Sequence, residues 1–156
     1  MSEAGSERLL LDTNVVIHLI RDDVVGRAIQ SRFALASRTE VPMISAVALG
    51  EAESFALSNG WGEAKRRRLQ ELFHELVVVS IESGSVIDAY AELDVSLRKA
   101  GKPIGENDTW IAASAVATRA ALVSTDRDYL NVPSGMLRLY LVDAKTGDVR
   151  EPGGSS

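Results

Sequence analysis

Asp12, Glu51, Asp108 and Asp126 are the residues of this chain whose types and settings point most directly to chemistry. Asp12 closes the apolar run Leu9-Leu10-Leu11, and Asp126 follows Ala121-Leu122-Val123-Ser124-Thr125. Asp108 stands just ahead of the helix-like run Ile111–Val116, and Glu51 lies among small and apolar neighbours. Open α/β sheets build their sites outside the carboxyl ends of their strands, where residues distant in sequence meet. Four carboxylates gathered there would repel one another unless a cation neutralised them. A hard divalent ion such as Mg²⁺, held by carboxylates and waters, answers that need.

Each of these residues also has a plain structural reading. Asp12 opens Asp12-Thr13-Asn14 and can serve as an N-cap with a local turn. Glu51 has Val47 and Phe55 four residues to either side, which puts it on or beside an apolar stripe. Glu53 has Leu49 and Leu57 at the same spacing, so periodicity does not choose between the two glutamates. Asp108 suits a helix N-terminus, where a carboxylate complements the macrodipole. Yet Glu106-Asn107-Asp108 offers three consecutive oxygen-bearing side chains, more than a cap requires. Asp126 can be a turn residue, and Asp128 can take its place. The conjunction is the stronger signal, since three of the four fall at the edge where a parallel sheet builds its site.

The elements that must position them alternate along the chain, the pattern of a parallel-sheet α/β domain. Strands are predicted at Leu9–Asp12, Val41–Ser45, Leu76–Ser80, Ala121–Ser124 and Leu137–Val142, all short and aliphatic as buried parallel strands are. Helices are predicted at Thr13–Ile20, Val24–Ser37, Ala46–Ser58, Glu63–Glu75, Ser85–Ala100 and about Asp108–Arg119. Asn59-Gly60-Trp61-Gly62 is a strong turn signal, with Gly60 suited to a left-handed C-terminal cap. Ser85 and Asp88 resemble a capping box, and Gly101 ends that helix. The tail after Asp148 reads as disordered.

The chain has 156 residues, 46% of them hydrophobic and 25% charged, enough for one domain with a sizeable core. It has no cysteine, which excludes disulfides, zinc–thiolate sites and cysteine nucleophiles. No stretch reaches the roughly 18 to 20 apolar residues of a membrane span, and the first residues lack a signal-peptide core. A soluble, cytoplasmic protein without a membrane partner is the expectation. The net charge of −5 argues against nucleic-acid binding by bulk charge, but not against a nuclease whose carboxylates hold metal. Lys65-Arg66-Arg67-Arg68 and the group Arg98, Lys99 and Lys102 either contact phosphate oxygens or form solvated helix faces.

Four blocks in order resemble the PIN-domain family, and within it the VapC-type toxin ribonucleases of toxin–antitoxin pairs. They are Leu9–Ile17 around Asp12-Thr13-Asn14, Ile44–Glu51, Asn107–Ala113, and Val123–Tyr129 around Thr125-Asp126-Arg127-Asp128. In the second block a serine, Ser45, precedes the glutamate by six positions, which favours Glu51 over Glu53. The resemblance runs from about Leu9 to Leu141. It implies a three-layer fold, a central parallel sheet of about five strands with helices on both faces. Residues 1–142 would form the nuclease domain and residues 143–156 a C-terminal extension with a disordered end.

The resemblance further implies metal-dependent endonucleolytic cleavage of RNA, with Mg²⁺ or Mn²⁺ activating water for in-line attack on phosphorus. Asp12 and Asp108 would be the principal metal ligands, with Glu51 and Asp126 completing the pocket as ligands, water-orienting groups or general base. Thr13, Asn14, Asn107 and Thr125 would hold those carboxylates in place. The implied partners are an RNA substrate, a VapB-like antitoxin whose basic side chain reaches the acidic cleft, and a second copy of the chain. The apolar residues Phe55, Leu57, Trp61, Leu69, Leu72 and Phe73 either receive a partner helix or pack inside the monomer. His18 and His74 match no family position and read as helix-face residues. Trp61 and Trp110 read as packing or interface residues.

Rival enzyme classes fit poorly. A haloacid-dehalogenase-type phosphatase needs a second aspartate two positions after the first, where this chain has Asn14. A response-regulator receiver needs a lysine at the end of its last core strand, where this chain has Tyr140 to Val142. The alternative of another kind is a catalytically inactive PIN-type module that binds RNA or protein. Its mark would be a lost acidic position, and all four are present here.

Overall fold

The computed structural model describes residues 6–153. Its centre is a six-stranded sheet with strands β1 (Leu9–Leu11), β2 (Met43–Ser45), β3 (Val77–Val79), β4 (Ala121–Ser124), β5 (Leu139–Val142) and β6 (Val149–Arg150). The order across the sheet is β3-β2-β1-β4-β5-β6. The first four pairings are parallel and β5–β6 is antiparallel. Six helices connect the strands: α1 (Thr13–Arg21), α2 (Val24–Phe33), α3 (Ala46–Ser58), α4 (Glu63–Glu75), α5 (Gly84–Lys99) and α6 (Glu106–Thr118). None is long and apolar enough to cross a membrane.

This order fixes where a site can form. The chain steps outward from β1 to β2 and β3, then returns through α5 and α6 to place β4 on the other side of β1. The connections therefore diverge at β1 and β4 and leave a crevice beyond their carboxyl ends. Leu9, Leu10 and Leu11 are fully buried because β1 has a strand on each side and helices over both faces. Their register, Leu11 opposite Val123, sets Asp12 beside Ser124 at the mouth of the crevice.

Several sequence expectations need correction. The sheet has a sixth strand, because Val149–Arg150 fold back on β5 instead of belonging to a disordered tail. A side-chain-capped turn drives the reversal: Asp143 Oδ1 accepts the Lys145 and Thr146 amides, and Gly147 takes φ +81°. The final residues of that tail lie outside the described part. β3 is an edge strand rather than a buried one, with Val77 half exposed. α2 stops at Phe33, where Ala34 turns left-handed before a short 3₁₀ turn. α5 starts at Gly84 after Ser83, with no side-chain cap, so Ser85 and Asp88 form no capping box. α6 starts at Glu106, which moves Asp108 into the first turn instead of ahead of it.

Other expectations hold. Gly60 is left-handed at φ +62°, and the Gly60 and Trp61 amides bond back to Leu57 and Ala56, a two-bond glycine cap. Trp110 stacks on Tyr90 at 4.0 Å between α6 and α5, a packing role. Of the apolar set on α3 and α4, Leu69 is buried, Leu57 is exposed, and Phe55, Trp61, Leu72 and Phe73 are half-buried. The basic clusters, whose two readings stay open, are exposed apart from half-buried Lys65 over the Trp61 ring, and within them Arg67 pairs with Glu63 and Arg98 with Asp94. Such exposed pairs contribute at most about 1 kcal/mol each.

Candidate metal-binding active site

Asp12 is the centre of the crevice and is 3% exposed. Its amide donates to Val123 O at 3.0 Å, extending the β1–β4 ladder by one residue. Its side chain caps α1, with Oδ1 accepting the Thr13 amide at 2.8 Å. Oδ2 accepts from Ser124 Oγ at 2.6 Å and from Asn14 Nδ2 at 3.1 Å. The capping reading and the chemical reading are thus both satisfied by one side chain. Burial raises the Asp12 carboxyl to about 6, against the lowering effect of the Ser124 and Thr13 bonds, with the Asp108 and Glu51 charges adding to the rise. A buried carboxylate held this unfavourably is a ready partner for a cation.

Glu51 reaches the same space from α3. Thr13 Oγ1 donates to Glu51 Oε1 at 2.7 Å, and Asn107 Nδ2 donates to Oε2 at 3.3 Å. Ser45 caps this helix through the Val47 amide and so sets its starting direction. Glu53 faces away, toward Gln70 of α4. The tertiary structure thereby separates two glutamates that sequence periodicity could not.

Asp108 and Asp126 bring the remaining charge. One carboxylate oxygen from each of Asp108, Asp126 and Asp128 lies within 4.8 Å of the others, close enough to share one ion. Asp108 is raised by burial first, then by Asp126 and Glu51, against a lowering hydrogen bond from Tyr129. Asp126 caps the turn that follows β4, accepting the Asp128 amide at 2.8 Å. Its own amide donates to Ser124 Oγ at 2.9 Å. Asn14 Oδ1 accepts the Thr125 amide at 3.1 Å, so α1 and the end of β4 are tied together. A cleft of about 310 Å³ opens onto Asp12, Glu51 and Asp108.

The four carboxylates therefore converge on one crevice, with Thr13, Asn14 and Asn107 bonded to them through their side chains. Thr125 joins only through its backbone amide and lines a neighbouring cleft with Arg127 and Leu141. Asp128, considered in the sequence only as a substitute for Asp126, joins the cluster beside it. Two supporting residues escaped the sequence reading. Ser124 is a buried hydroxyl ending an otherwise apolar strand, a signal available in the sequence. Tyr129 is buried and donates to Asp108 Oδ1 at 3.3 Å. Burial and the surrounding carboxylates push its phenol far up, so it stays a donor. His18 and Arg21 also line the cleft, one and two turns along α1 from Asn14.

A family model described as PIN domain matches residues 9–134, a span that contains every one of these carboxylates. The chain belongs to the PIN-domain family. Among PIN proteins it is similar to Ribonuclease VapC4 of Mycobacterium tuberculosis, with 37% identity over 92 residues, 58% of this chain and 70% of that protein. It is also similar to Ribonuclease VapC1 of Haemophilus influenzae, with 29% identity over 115 residues, 74% of this chain and 84% of that one. The PIN fold itself aligns with the crystal structure of VapBC2 from Rickettsia felis bound to a promoter DNA fragment. That match has TM-score 0.70 and 23% identity, covering 85% of this chain and 98% of that one. VapBC-1 from nontypeable Haemophilus influenzae aligns at TM-score 0.66 and 24% identity, over 80% and 91% of the two chains. This PIN domain has a cluster of acidic residues able to bind a metal ion.

Proposed function

We propose that this PIN domain is a metal-dependent endoribonuclease, the toxin of a toxin–antitoxin pair. The observation that carries the reading is the convergence of Asp12, Glu51, Asp108 and Asp126 on the crevice between β1 and β4, with Asp12 buried and its carboxyl raised. The naming of its relatives as VapC ribonucleases supports the substrate class.

The donor set fits a hard divalent cation. Every candidate ligand is a carboxylate oxygen, and the chain has no cysteine thiolate to favour a softer metal. Asp12 and Asp108 would be the principal ligands, with Glu51, Asp126 and Asp128 completing the donor set. Mg²⁺ or Mn²⁺, once bound there, supplies charge neutralisation and Lewis acidity at the scissile phosphate.

The chain's own groups account for the rest. Ser124 and Asn14 hold Asp12, Tyr129 holds Asp108, and Thr13 with Asn107 hold Glu51. Glu51 retains lone pairs on both oxygens and is the acceptor for the proton released as water adds to phosphorus. The P–O3′ bond breaks, leaving a 5′-phosphate on one fragment and a 3′-hydroxyl on the other. The RNA 2′-hydroxyl takes no part.

The partners follow from the same reading. A VapB-like antitoxin places a basic side chain where the cation sits, since carboxylate repulsion favours either occupant. A similarly folded Mycobacterium tuberculosis structure is described as a member of the VapBC family of toxin–antitoxin systems, which supports this. The active unit is a homodimer working in the cytoplasm.

The test is incubation of total RNA with antitoxin-free protein and Mg²⁺ or Mn²⁺, alongside EDTA and Asp12→Asn controls. Discrete cuts with 5′-phosphate ends, lost in both controls, are expected. Absence of cleavage by metal-loaded protein would instead indicate an inactive PIN-type binding module.

A further inference from the structure

The cleft that holds the carboxylates has a cationic side that the nuclease reading leaves without a role. Asn14, Ile17, His18 and Arg21 recur at helical spacing on α1, so one face of that helix lines the cleft. Asn14 belongs to the carboxylate network, whereas His18 and Arg21 lie farther along.

His18 is held firmly. Its Nδ1 lies 2.7 Å from Asp23 Oδ2, and Asp23 Oδ1 accepts the Gly26 amide at 2.8 Å as the cap of α2. Gly26 lets α2 approach α1 closely, since a Cβ there would fall 2.2 Å from the His18 carbonyl oxygen. With Nδ1 engaged, Nε2 is the ring atom left for a ligand. Arg21 is exposed, and its guanidinium carbon lies 5.2 Å from the centroid of the Phe55 ring. Among the described residues it forms no ion pair, although Glu51 lines the same cleft. A guanidinium laid on an aromatic ring keeps its planar set of donors for an anion.

We propose that His18 and Arg21 bind the RNA phosphate next to the one being cleaved. The proposal rests on the nuclease reading. One cleft is lined by Asp12, Glu51 and Asp108 and also by His18 and Arg21, which lie one and two turns along α1 from Asn14. A strand with its scissile phosphate at the carboxylates therefore brings a neighbouring phosphate to the two basic side chains. In a protein of net charge −5, this local pair provides what bulk charge does not.

The experiment is a salt series of binding affinities for a fluorescein-labelled single-stranded RNA oligonucleotide of mixed sequence, with Asp12→Asn in every protein to prevent cleavage. Loss of one phosphate contact lowers the slope of log affinity against log salt by roughly 0.7 for a single strand. Arg21→Gln is expected to show that drop and about tenfold weaker binding at low salt, Arg21→Lys to restore the slope, and His18→Gln to weaken binding several-fold. Unchanged slope and affinity in Arg21→Gln would overturn the proposal, even if Arg21 proved to bind an acidic protein partner instead. Cleavage of total RNA by the parent, measured in parallel, separates that failure from failure of the nuclease reading. Arg21 is exposed and touches only the rim of the core, at Phe55, and thermal unfolding of its variants separates a binding effect from a folding one.

Discussion

Ser124 Oγ donates to Asp12 Oδ2 at 2.6 Å and at the same time accepts the Asp126 amide at 2.9 Å. One buried hydroxyl thus couples the carboxylate after β1 to the carboxylate after β4. It joins two residues more than a hundred positions apart in the chain, and the parallel register of β1 and β4 makes that possible.

Ser124→Ala removes both bonds and leaves a half-buried Asp126 amide unpaired and the Asp12 carboxylate less stabilised. The expected loss of stability is about 1 to 3 kcal/mol. Because the Ser124 bond lowers the Asp12 carboxyl, its removal should also shift the acid limb of the activity profile to higher pH. Denaturant unfolding and a pH–rate profile check the two effects, and an unmoved acid limb would contradict the coupling.

The Asp12 carboxyl has a sign that can be tested without metal. Its pKa is raised from 3.8 to about 6 in the folded protein. The folded state therefore holds the proton more tightly, so stability in EDTA should fall as pH rises from about 4 to 6. The penalty at neutral pH is about 3 kcal/mol. Asp12→Asn removes that charge and should raise Tm in EDTA at pH 7, less than fully because its amide meets Asn14 Nδ2. Cleavage should fall by at least about 10²-fold. A variant less stable than the parent at pH 7 and at pH 4 alike would refute the burden assigned to this carboxylate.

On the proposed nuclease reading, protons and cation compete for the Asp12 oxygens. With limiting Mg²⁺, cleavage should decline as pH falls through about 6, where Asp12 becomes protonated. Raising Mg²⁺ should move that midpoint to lower pH. A midpoint insensitive to metal concentration would assign it to some other group.

Glu51 and Glu53 make a matched pair for substitution. Glu51→Gln should reduce cleavage by roughly 10²-fold, in the range of lost general-base catalysis. Glu53→Gln, which alters only a contact to Gln70, should leave cleavage intact and change stability by less than about 0.5 kcal/mol. Equal losses in both variants would disprove the assignment.

Gly26→Ala tests the α1–α2 contact. Its Cβ would meet backbone, which cannot rotate away, so a loss of about 1 to 3 kcal/mol is expected. Thermal unfolding measures it, and parental stability would show that the helices part easily.

Sequence alone determined the alternation of strands and helices, because short aliphatic runs and helical spacing are local signals. It also placed Asp12, Asp108 and Asp126 at element boundaries, where capping and turn chemistry leave a mark. Periodicity did not decide between Glu51 and Glu53, since both sit at equivalent helical spacing. The resemblance of the Ile44–Glu51 block to the PIN family favoured Glu51, and the fold gives the physical difference, with Glu51 bonded to Thr13 and Glu53 to Gln70. The edge position of β3, with Val77 and Val78 exposed, was hidden because three valines read alike in any strand. The sixth strand was hidden because its two residues carry no pattern until β5 offers them an edge. Ser124, Tyr129 and the His18–Asp23 pair gained their meaning only from neighbours brought by the fold. Local propensity writes the elements, but which side chains share a crevice depends on strand order and register, and those are settled by long-range packing.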